Sequence, residues 1–120
     1  MSPNKETVQR YMDAYARWDH AEVLACLTDD VEWVVPGAFH LTGKRAFDNE
    51  IEGQGAAGPP DIVVTRLVEE DDVVVAEGTV RNALKDGGVL QLVFCDVFLM
   101  SEGLIRHLTS YLMMTPDVAT

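Results

Sequence analysis

The segment Leu90–Met100 constrains the fold of this chain more than any other. It is apolar almost throughout and rich in β-branched and aromatic residues, which is typical of a strand buried on both faces. Asp96 is the exception within it. An ionised carboxylate in such surroundings is costly unless it is paired, hydrogen-bonded or kept protonated. The segment therefore predicts either a buried structural partner for Asp96 or a place for it in a pocket, and we expect the pocket.

The two faces of this strand have different consequences. One face holds Asp96 together with Leu92, Phe94, Phe98 and Met100. The other face holds Val93, Cys95, Val97 and Leu99. Helices packed on the sheet cover only one of them, and the second is left as an exposed apolar patch of the kind that marks an association surface. We therefore expect a homodimer with two-fold symmetry, formed through the outer face of the sheet.

Composition limits the class of protein. With 120 residues and 48% hydrophobic content, the chain is expected to form a single domain over residues 1–120. Its 9 basic and 20 acidic residues give a net charge of −11, which argues against nucleic acid and anionic membranes as partners. Cys26 and Cys95 read as buried free thiols of a reducing compartment. No run approaches a membrane span, so a soluble cytoplasmic protein is expected.

The first half of the chain shows helical patterns. Ser2-Pro3 is a helix entry, and an apolar face follows at helical spacing, formed by Val8, Tyr11, Met12, Tyr15 and Trp18. Asp19 caps a second short helix, with Glu22 three residues on. A short strand over Val31–Val35 comes next. A third helix over about Lys44–Glu52 is capped by Thr42 and turns Phe47 and Ile51 inward.

The second half of the chain shows strand patterns in place of helical ones. Four strands are predicted, over Ile62–Glu69, Val73–Leu84, Val89–Met100 and Leu104–Met114. The short turns between them imply an antiparallel meander. Helices precede most of the strands, which predicts an α+β protein with its helices on one face of the sheet. The tail after Thr115 is predicted to fray.

Several stretches resemble the nuclear transport factor 2-like superfamily, and within it ketosteroid isomerase and the SnoaL-like polyketide cyclases. They are Val8–Tyr11, Asp19, Leu27–Trp33, Pro36-Gly37 and Gly43, then Asp96–Phe98, Glu102-Gly103, Ile105 and Tyr111-Leu112. The resemblance implies a cone-shaped, strongly curved antiparallel sheet around three helices (cystatin-like), with a deep apolar pocket. It also implies dimerisation across the sheet.

The resemblance also implies a site. Tyr11 falls on the oxyanion-hole tyrosine of ketosteroid isomerase, and Asp96 on its protonated aspartic acid, a carboxylic acid held neutral so that it donates a hydrogen bond. The proton-shuttling aspartate of that enzyme falls on Val35, which cannot move a proton. His40, Glu77 and Glu50 are the replacement bases considered, although a loop histidine or a paired surface glutamate is the ordinary alternative.

A second branch, limonene epoxide hydrolase, resembles the last three strands. Its arginine and two aspartates fall on Glu77, Thr79 and Ser110, so its triad is absent. The match implies that Glu77, Thr79 and Arg81 face the pocket, whereas the period of two puts them on the solvent face. Of these two predictions, the pocket is favoured. The residues expected to contact a ligand are Tyr15, Trp33, Val35, Glu50, Thr79, Arg81, Phe94, Phe98, Leu108, Ser110 and Leu112.

The first functional interpretation is an enzyme acting on a hydrophobic carbonyl or phenol compound, polyketide- or steroid-like. It would catalyse proton transfer, cyclisation or dehydration, with Tyr11 and Asp96 as the oxyanion hole. The alternatives are a non-catalytic ligand-binding or dimerisation module and, with rearranged carboxylates, an epoxide hydrolase. No spacing of cysteine and histidine suggests a metal, and no cofactor motif is found.

Overall fold

A computed structural model describes residues 1–115 of the chain. The helices are α1 (Pro3–Ala16), α2 (His20–Ala25) and α3 (Lys44–Glu50). The strands are β1 (Leu27–Val35), β2 (Phe39–Thr42), β3 (Asp61–Glu70), β4 (Val73–Ala83), β5 (Val89–Ser101) and β6 (Leu104–Met114). The predicted fraying after Thr115 lies outside the described residues.

The six strands form one curved, unclosed sheet in the order β2-β1-β6-β5-β4-β3. From β3 to β6 it is the antiparallel meander that the short turns predict. β1 pairs with β6 in parallel, and β2 then pairs with β1 in antiparallel orientation. The α+β prediction is confirmed: α1 and α3 pack on the concave face, and α2 packs against these two helices. None of the described helices has the length and apolar character needed to cross a membrane.

Two helix starts follow their predicted caps. The Ser2 hydroxyl accepts a hydrogen bond from the backbone N–H of Lys5, and the Asp19 carboxylate accepts one from Glu22. Each bond satisfies an N–H that has no partner within the helix. These two caps fix where α1 and α2 begin.

The third helix and the first strands differ from prediction. α3 has Gly43 as its N-cap, at φ 92°, and not Thr42, which is the last residue of β2. β2 was not predicted, because a strand of four residues shows too little alternation to be recognised. β1 begins at Leu27, four residues earlier than predicted, because pairing with Ile105 on β6 extends it.

Gly78 on β4 shapes the inner face of the sheet. A Cβ at this position would lie 2.1 Å from the carbonyl oxygen of Val63 and 2.7 Å from the ring of Phe94. No side chain fits there, so the Phe94 ring lies against the backbone of β4 at the residue paired with it. Glycine inside a strand often marks such a close approach. It lets Phe94 form a wall without closing the space above.

Candidate active site

A cavity of about 290 Å³ lies between the concave face of the sheet, α1, the end of α3 and the loop of residues 53–60. Its size is at the lower end of the range for small-molecule sites. Its walls are mainly apolar and aromatic, and include Met12, Trp18, Trp33, Phe39, Ile62, Val80, Leu90, Leu92, Phe94 and Leu112. A few polar side chains converge on it: Tyr11, Tyr15, Glu50, Gln54, Asn82, Asp96 and Ser110.

Asp96 is a buried acid at this cavity. Its side chain is on the inner face of β5, and the residue is 8% exposed. Burial raises the pKa of its carboxyl group to about 7, and a hydrogen bond with Ser110 opposes the rise. Among the described residues, no hydrogen-bond partner is within reach of the buried Oδ1 atom. Asp96 therefore places at the cavity a carboxyl group that still carries its proton in part at neutral pH. Its Oδ1 atom has no hydrogen-bond partner among the described residues.

Ser110 and Trp33 hold Asp96 in place. Ser110 is directly opposite Asp96 in the pairing of β5 with β6. The indole Nε1 of Trp33 donates to the Ser110 hydroxyl oxygen over 3.1 Å, in a buried hydrogen bond. Because that donor occupies one side of the hydroxyl oxygen, the Ser110 proton is left to point toward the carboxyl group. Trp33 is itself fixed by stacking on Phe47, with ring centroids 4.4 Å apart.

Tyr11 is a second potential donor at the cavity. The residue is 2% exposed and is held by edge contacts with the rings of Phe47 and Phe98, at 6.1 Å and 5.5 Å between centroids. Burial is the main reason that the pKa of the Tyr11 hydroxyl is raised well above its ordinary value, and the charge of Asp96 adds to the rise. The phenol therefore keeps its proton at any physiological pH.

Tyr15 and Glu50 add two polar groups to the cavity lining, one from α1 and one from α3. Tyr15 is one helical turn after Tyr11, and their ring centroids are 5.8 Å apart. Burial raises the pKa of the Tyr15 hydroxyl, and the charges of Glu50 and then Asp96 raise it further. Glu50 is the last residue of α3 and is partly buried. The cavity thus combines one acid that favours its neutral form with a second carboxylate within electrostatic range of the same phenol.

The prediction that Glu77, Thr79 and Arg81 face the pocket is wrong. Val80 and Asn82 line the cavity, so the residues that alternate with them on β4 lie on the outer face. There Glu77 forms an ion pair with Arg66, with 3.3 Å between Nε and Oε1. The alternation of side chains along β4 correctly predicted the outer face, whereas the resemblance to an epoxide hydrolase predicted the pocket. Glu77 is accordingly out of reach of a ligand in the cavity.

The histidines also lie away from the cavity. Phe39 faces the cavity, so His40, next to it on β2, points to the opposite side, where its Nε2 is 3.0 Å from Glu32. This is incompatible with the prediction of His40 as a base at the pocket. His107 pairs with Leu99 on the outer face. His20 is the first residue of α2 and contacts Asp48 and Glu52.

Three residues predicted to contact a ligand are part of the core instead. Phe98 and Leu108 are fully buried and Val35 is 8% exposed, and none of them lines the cavity. All three are part of the buried core, and the ring of Tyr11 from α1 packs against Phe98 with 5.5 Å between ring centroids. Six other predicted contact residues do line the cavity: Tyr15, Trp33, Glu50, Phe94, Ser110 and Leu112.

Asn82 and Gln54 are polar cavity residues that sequence reasoning missed. The signal for Asn82 was present, because it continues an inner row of β4 that is otherwise small or apolar, through Val74, Ala76, Gly78 and Val80. Gln54 is in a loop, where no periodicity indicates orientation. Within residues 1–115, no group of three or more His, Cys, Asp or Glu side chains is placed to hold a metal ion.

The sequence matches one family model. The model describes a SnoaL-like domain and matches residues 8–108, which include α1 from Val8 onward, the sheet through Leu108 and every polar cavity residue except Ser110. No functionally curated protein matches the sequence.

Solved structures share the fold over nearly the whole chain. An LEH-like epoxide hydrolase from M. tuberculosis superposes with a TM-score of 0.81 at 22% identity, covering 92% of this chain and 83% of the other. A candidate ketosteroid isomerase from Kribbella flavida superposes with a TM-score of 0.76 at 19% identity, covering 98% of this chain and 83% of the other. A candidate polyketide cyclase from Xanthomonas campestris pv. campestris superposes with a TM-score of 0.78 at 25% identity, covering 91% of this chain and 89% of the other. Proteins with different activities therefore share this architecture.

Proposed function

Because this chain belongs to the SnoaL-like domain family, we propose that its cavity binds a hydrophobic carbonyl or phenol compound, polyketide- or steroid-like. We propose further that it catalyses proton transfer, cyclisation or dehydration through an oxyanion intermediate. The observation that supports this most is Asp96, whose pKa is raised to about 7 and whose Oδ1 has no partner among the described residues. Fold alone does not decide chemistry, and it is this carboxyl group that supports the proposed reaction.

In the proposed reaction, Asp96 and Tyr11 act as hydrogen-bond donors. A carboxylate removes a proton from the carbon next to the carbonyl of the ligand, and the electrons of the broken C–H bond move to the carbonyl oxygen. The two donors stabilise the negative charge that develops there, in a site with little competing water. The apolar walls strengthen both hydrogen bonds.

Glu50 is the proposed base. Besides Asp96, it is the only Asp or Glu among the described residues that lines the cavity, and Glu77 and His40 point elsewhere. A general base must come within hydrogen-bond reach of the proton that it removes. The alternative is a non-catalytic binding module. It is favoured by Val35, a buried aliphatic residue at the position where ketosteroid isomerase has its proton-shuttling aspartate. Turnover by the wild type and by a Glu50 variant separates these two functions.

Replacing Tyr11 with phenylalanine tests the donor pair. We expect Tyr11→Phe to weaken the binding of 2-naphthol about tenfold, because one hydrogen bond to an oxygen is lost in an apolar site. Binding of naphthalene should be unchanged, since it has no oxygen. Isothermal titration calorimetry measures both.

The matched control is Tyr111→Phe, because Tyr111 is 53% exposed and does not line the cavity. It should bind both probes as the wild type does. Equal affinity of Tyr11→Phe and wild type for 2-naphthol would remove Tyr11 from the proposed oxyanion hole.

The outer face of the sheet supports the proposal of a homodimer. It exposes apolar side chains on neighbouring strands, namely Val63, Val68, Val93, Tyr111 and Met113. Arg66 and Glu77 form an ion pair within this outer patch, so their charges offset each other when the patch meets its own copy. A chain with a net charge of −11 otherwise repels a second copy.

Val93→Glu is expected to convert the dimer to monomers, because two charges would be buried without partners at the interface. Sedimentation velocity at micromolar concentration measures the mass. Leu104→Glu is the control, since Leu104 is an exposed apolar residue at the opposite end of β6 from Met113. A wild-type protein that sediments as a monomer at 100 µM would contradict the proposal.

A cytoplasmic location is also proposed. Cys26 and Cys95 are both free thiols, and burial raises the pKa of each. Unpaired, poorly reactive cysteines suit a reducing compartment.

A further inference from the structure

Asn82 is a polar residue at the cavity that the proposed reaction does not use. It is on β4, directly opposite Leu90 on β5. Val80, its neighbour on the inner face of β4, and Leu84, the first residue after the strand, also line the cavity and are apolar. An amide in such a row has no evident structural reason, because an apolar side chain would pack there without desolvation cost.

The amide oxygen of Asn82 is unpaired. Its Oδ1 is buried, and no donor among the described residues is within hydrogen-bond distance of it. Nearly all buried polar atoms in folded proteins have a partner, so an exception at a cavity calls for an explanation. A carbonyl oxygen accepts hydrogen bonds and cannot donate them. The group that would satisfy Oδ1 is therefore a hydroxyl or an N–H.

Asn82 and Asp96 are far apart along the sheet. Asp96 is opposite Ala76, and Asn82 is opposite Leu90, six residues before Asp96 on β5. Six residues of strand span roughly 20 Å before curvature is considered. Two side chains and two hydrogen bonds of about 2.8 Å take up part of this distance, which leaves space for a molecule of two or three linked rings. Between these two points the inner face presents Val80, Leu92 and Phe94, all apolar.

We propose that Asn82 selects the substrate by its far end. The ligand would be elongated, with the reacting oxygen at Asp96, an apolar middle, and a hydroxyl or N–H donor that binds Asn82 Oδ1. This inference rests on the proposed function, because it takes Asp96 as the position of the reacting oxygen. The inference adds a substrate class to the proposed function: hydroxylated or amino-substituted aromatic carbonyl or phenol compounds, in preference to compounds with an apolar far end.

Three biphenyl probes test the proposal in the full chain. The probe 4,4′-dihydroxybiphenyl offers a donor at both ends, 4-hydroxy-4′-methoxybiphenyl offers only an acceptor at the far end, and 4-phenylphenol offers nothing there. The wild type should bind the first about tenfold more tightly than the other two, beyond the twofold statistical advantage of a symmetric ligand. Asn82→Leu should remove this preference while binding 4-phenylphenol at least as well. Asn82→Ala is the second variant, and it should show the same loss of preference if the leucine side chain disturbs packing.

Stability without ligand gives an independent readout. Replacing an unpaired buried acceptor with an apolar side chain should raise the melting temperature of Asn82→Leu above that of the wild type. A lower melting temperature together with an unchanged preference for the dihydroxy probe would overturn the proposal, as would equal binding of the three probes by the wild type. Tyr11→Phe distinguishes this failure from failure of the proposed function, because it should weaken all three probes alike and leave their order unchanged.

Discussion

The affinity of this protein for a ketone is expected to fall about tenfold as the pH rises from 6 to 9. A ketone oxygen only accepts hydrogen bonds, so Asp96 binds it only while the carboxyl group is protonated. Burial raises the pKa of Asp96 to about 7, and above this value the protonated fraction decreases tenfold per unit. Binding of 2-acetylnaphthalene should be constant at pH 5–6 and about tenfold weaker at pH 9, because the ketone then keeps the hydrogen bond from Tyr11 and loses the one from Asp96. Fluorescence titration across this range measures the effect.

Asp96→Asn is the matched control for this pH dependence. Asparagine has the same shape and keeps an N–H₂ donor, but it does not titrate. Its affinity for the ketone should therefore be constant from pH 5 to pH 9. A pH profile of the asparagine variant that falls as steeply as that of the wild type would assign the titration to another group and contradict the role of Asp96.

Glu50→Gln is expected to abolish proton transfer while leaving binding nearly unchanged. Glutamine retains the shape of glutamate but cannot accept a proton from carbon. The wild type should exchange the methyl protons of 2-acetylnaphthalene for deuterium in D₂O, and loss of the base should slow this exchange about 10²- to 10⁴-fold. Proton NMR measures the exchange, and the affinity of the variant for the same ketone should remain within about twofold.

Glu77→Gln is the control for this experiment. It removes a carboxylate of the same length from the outer face, where Glu77 pairs with Arg66, and should exchange protons at the wild-type rate. Normal exchange by Glu50→Gln would exclude Glu50 as the base. Wild-type exchange no faster than in buffer would contradict the enzymatic proposal and leave the binding module.

The importance of Asp96 could be predicted because it depends on one strand. In Leu90–Met100, alternation alone places the carboxyl group among apolar side chains. Because burying an unpaired charge there is costly, the acid is expected to be paired, hydrogen-bonded or protonated. The same rule correctly placed Glu77 on the outer face, and the prediction failed only when a match to another enzyme was preferred to it. Asn82 could have been recognised by the same alternation along β4.

Other features depend on tertiary packing. The parallel pairing of β1 with β6 joins segments that are far apart in the sequence, and no local pattern encodes it. Whether Glu50 reaches the cavity depends on where α3 ends, and helix ends are uncertain by a residue or two from sequence. Phe98 and Leu108 were expected to contact a ligand because they face inward, and Val35 because the resemblance places it at a catalytic position. Periodicity shows which face a residue is on, but not how closely a helix packs upon it.

The most direct test is a titration of Asp96 itself. Carboxyl carbons of aspartate labelled with ¹³C report protonation by NMR, and the signal that is missing from Asp96→Asn identifies this residue. The account predicts that the Asp96 signal titrates with a pKa of about 7, and that a bound ketone raises this pKa further because it binds the protonated form. A signal that titrates near pH 4, like that of an exposed aspartate, would mean that the carboxyl group has no proton to donate at neutral pH, and the proposed oxyanion hole would be wrong.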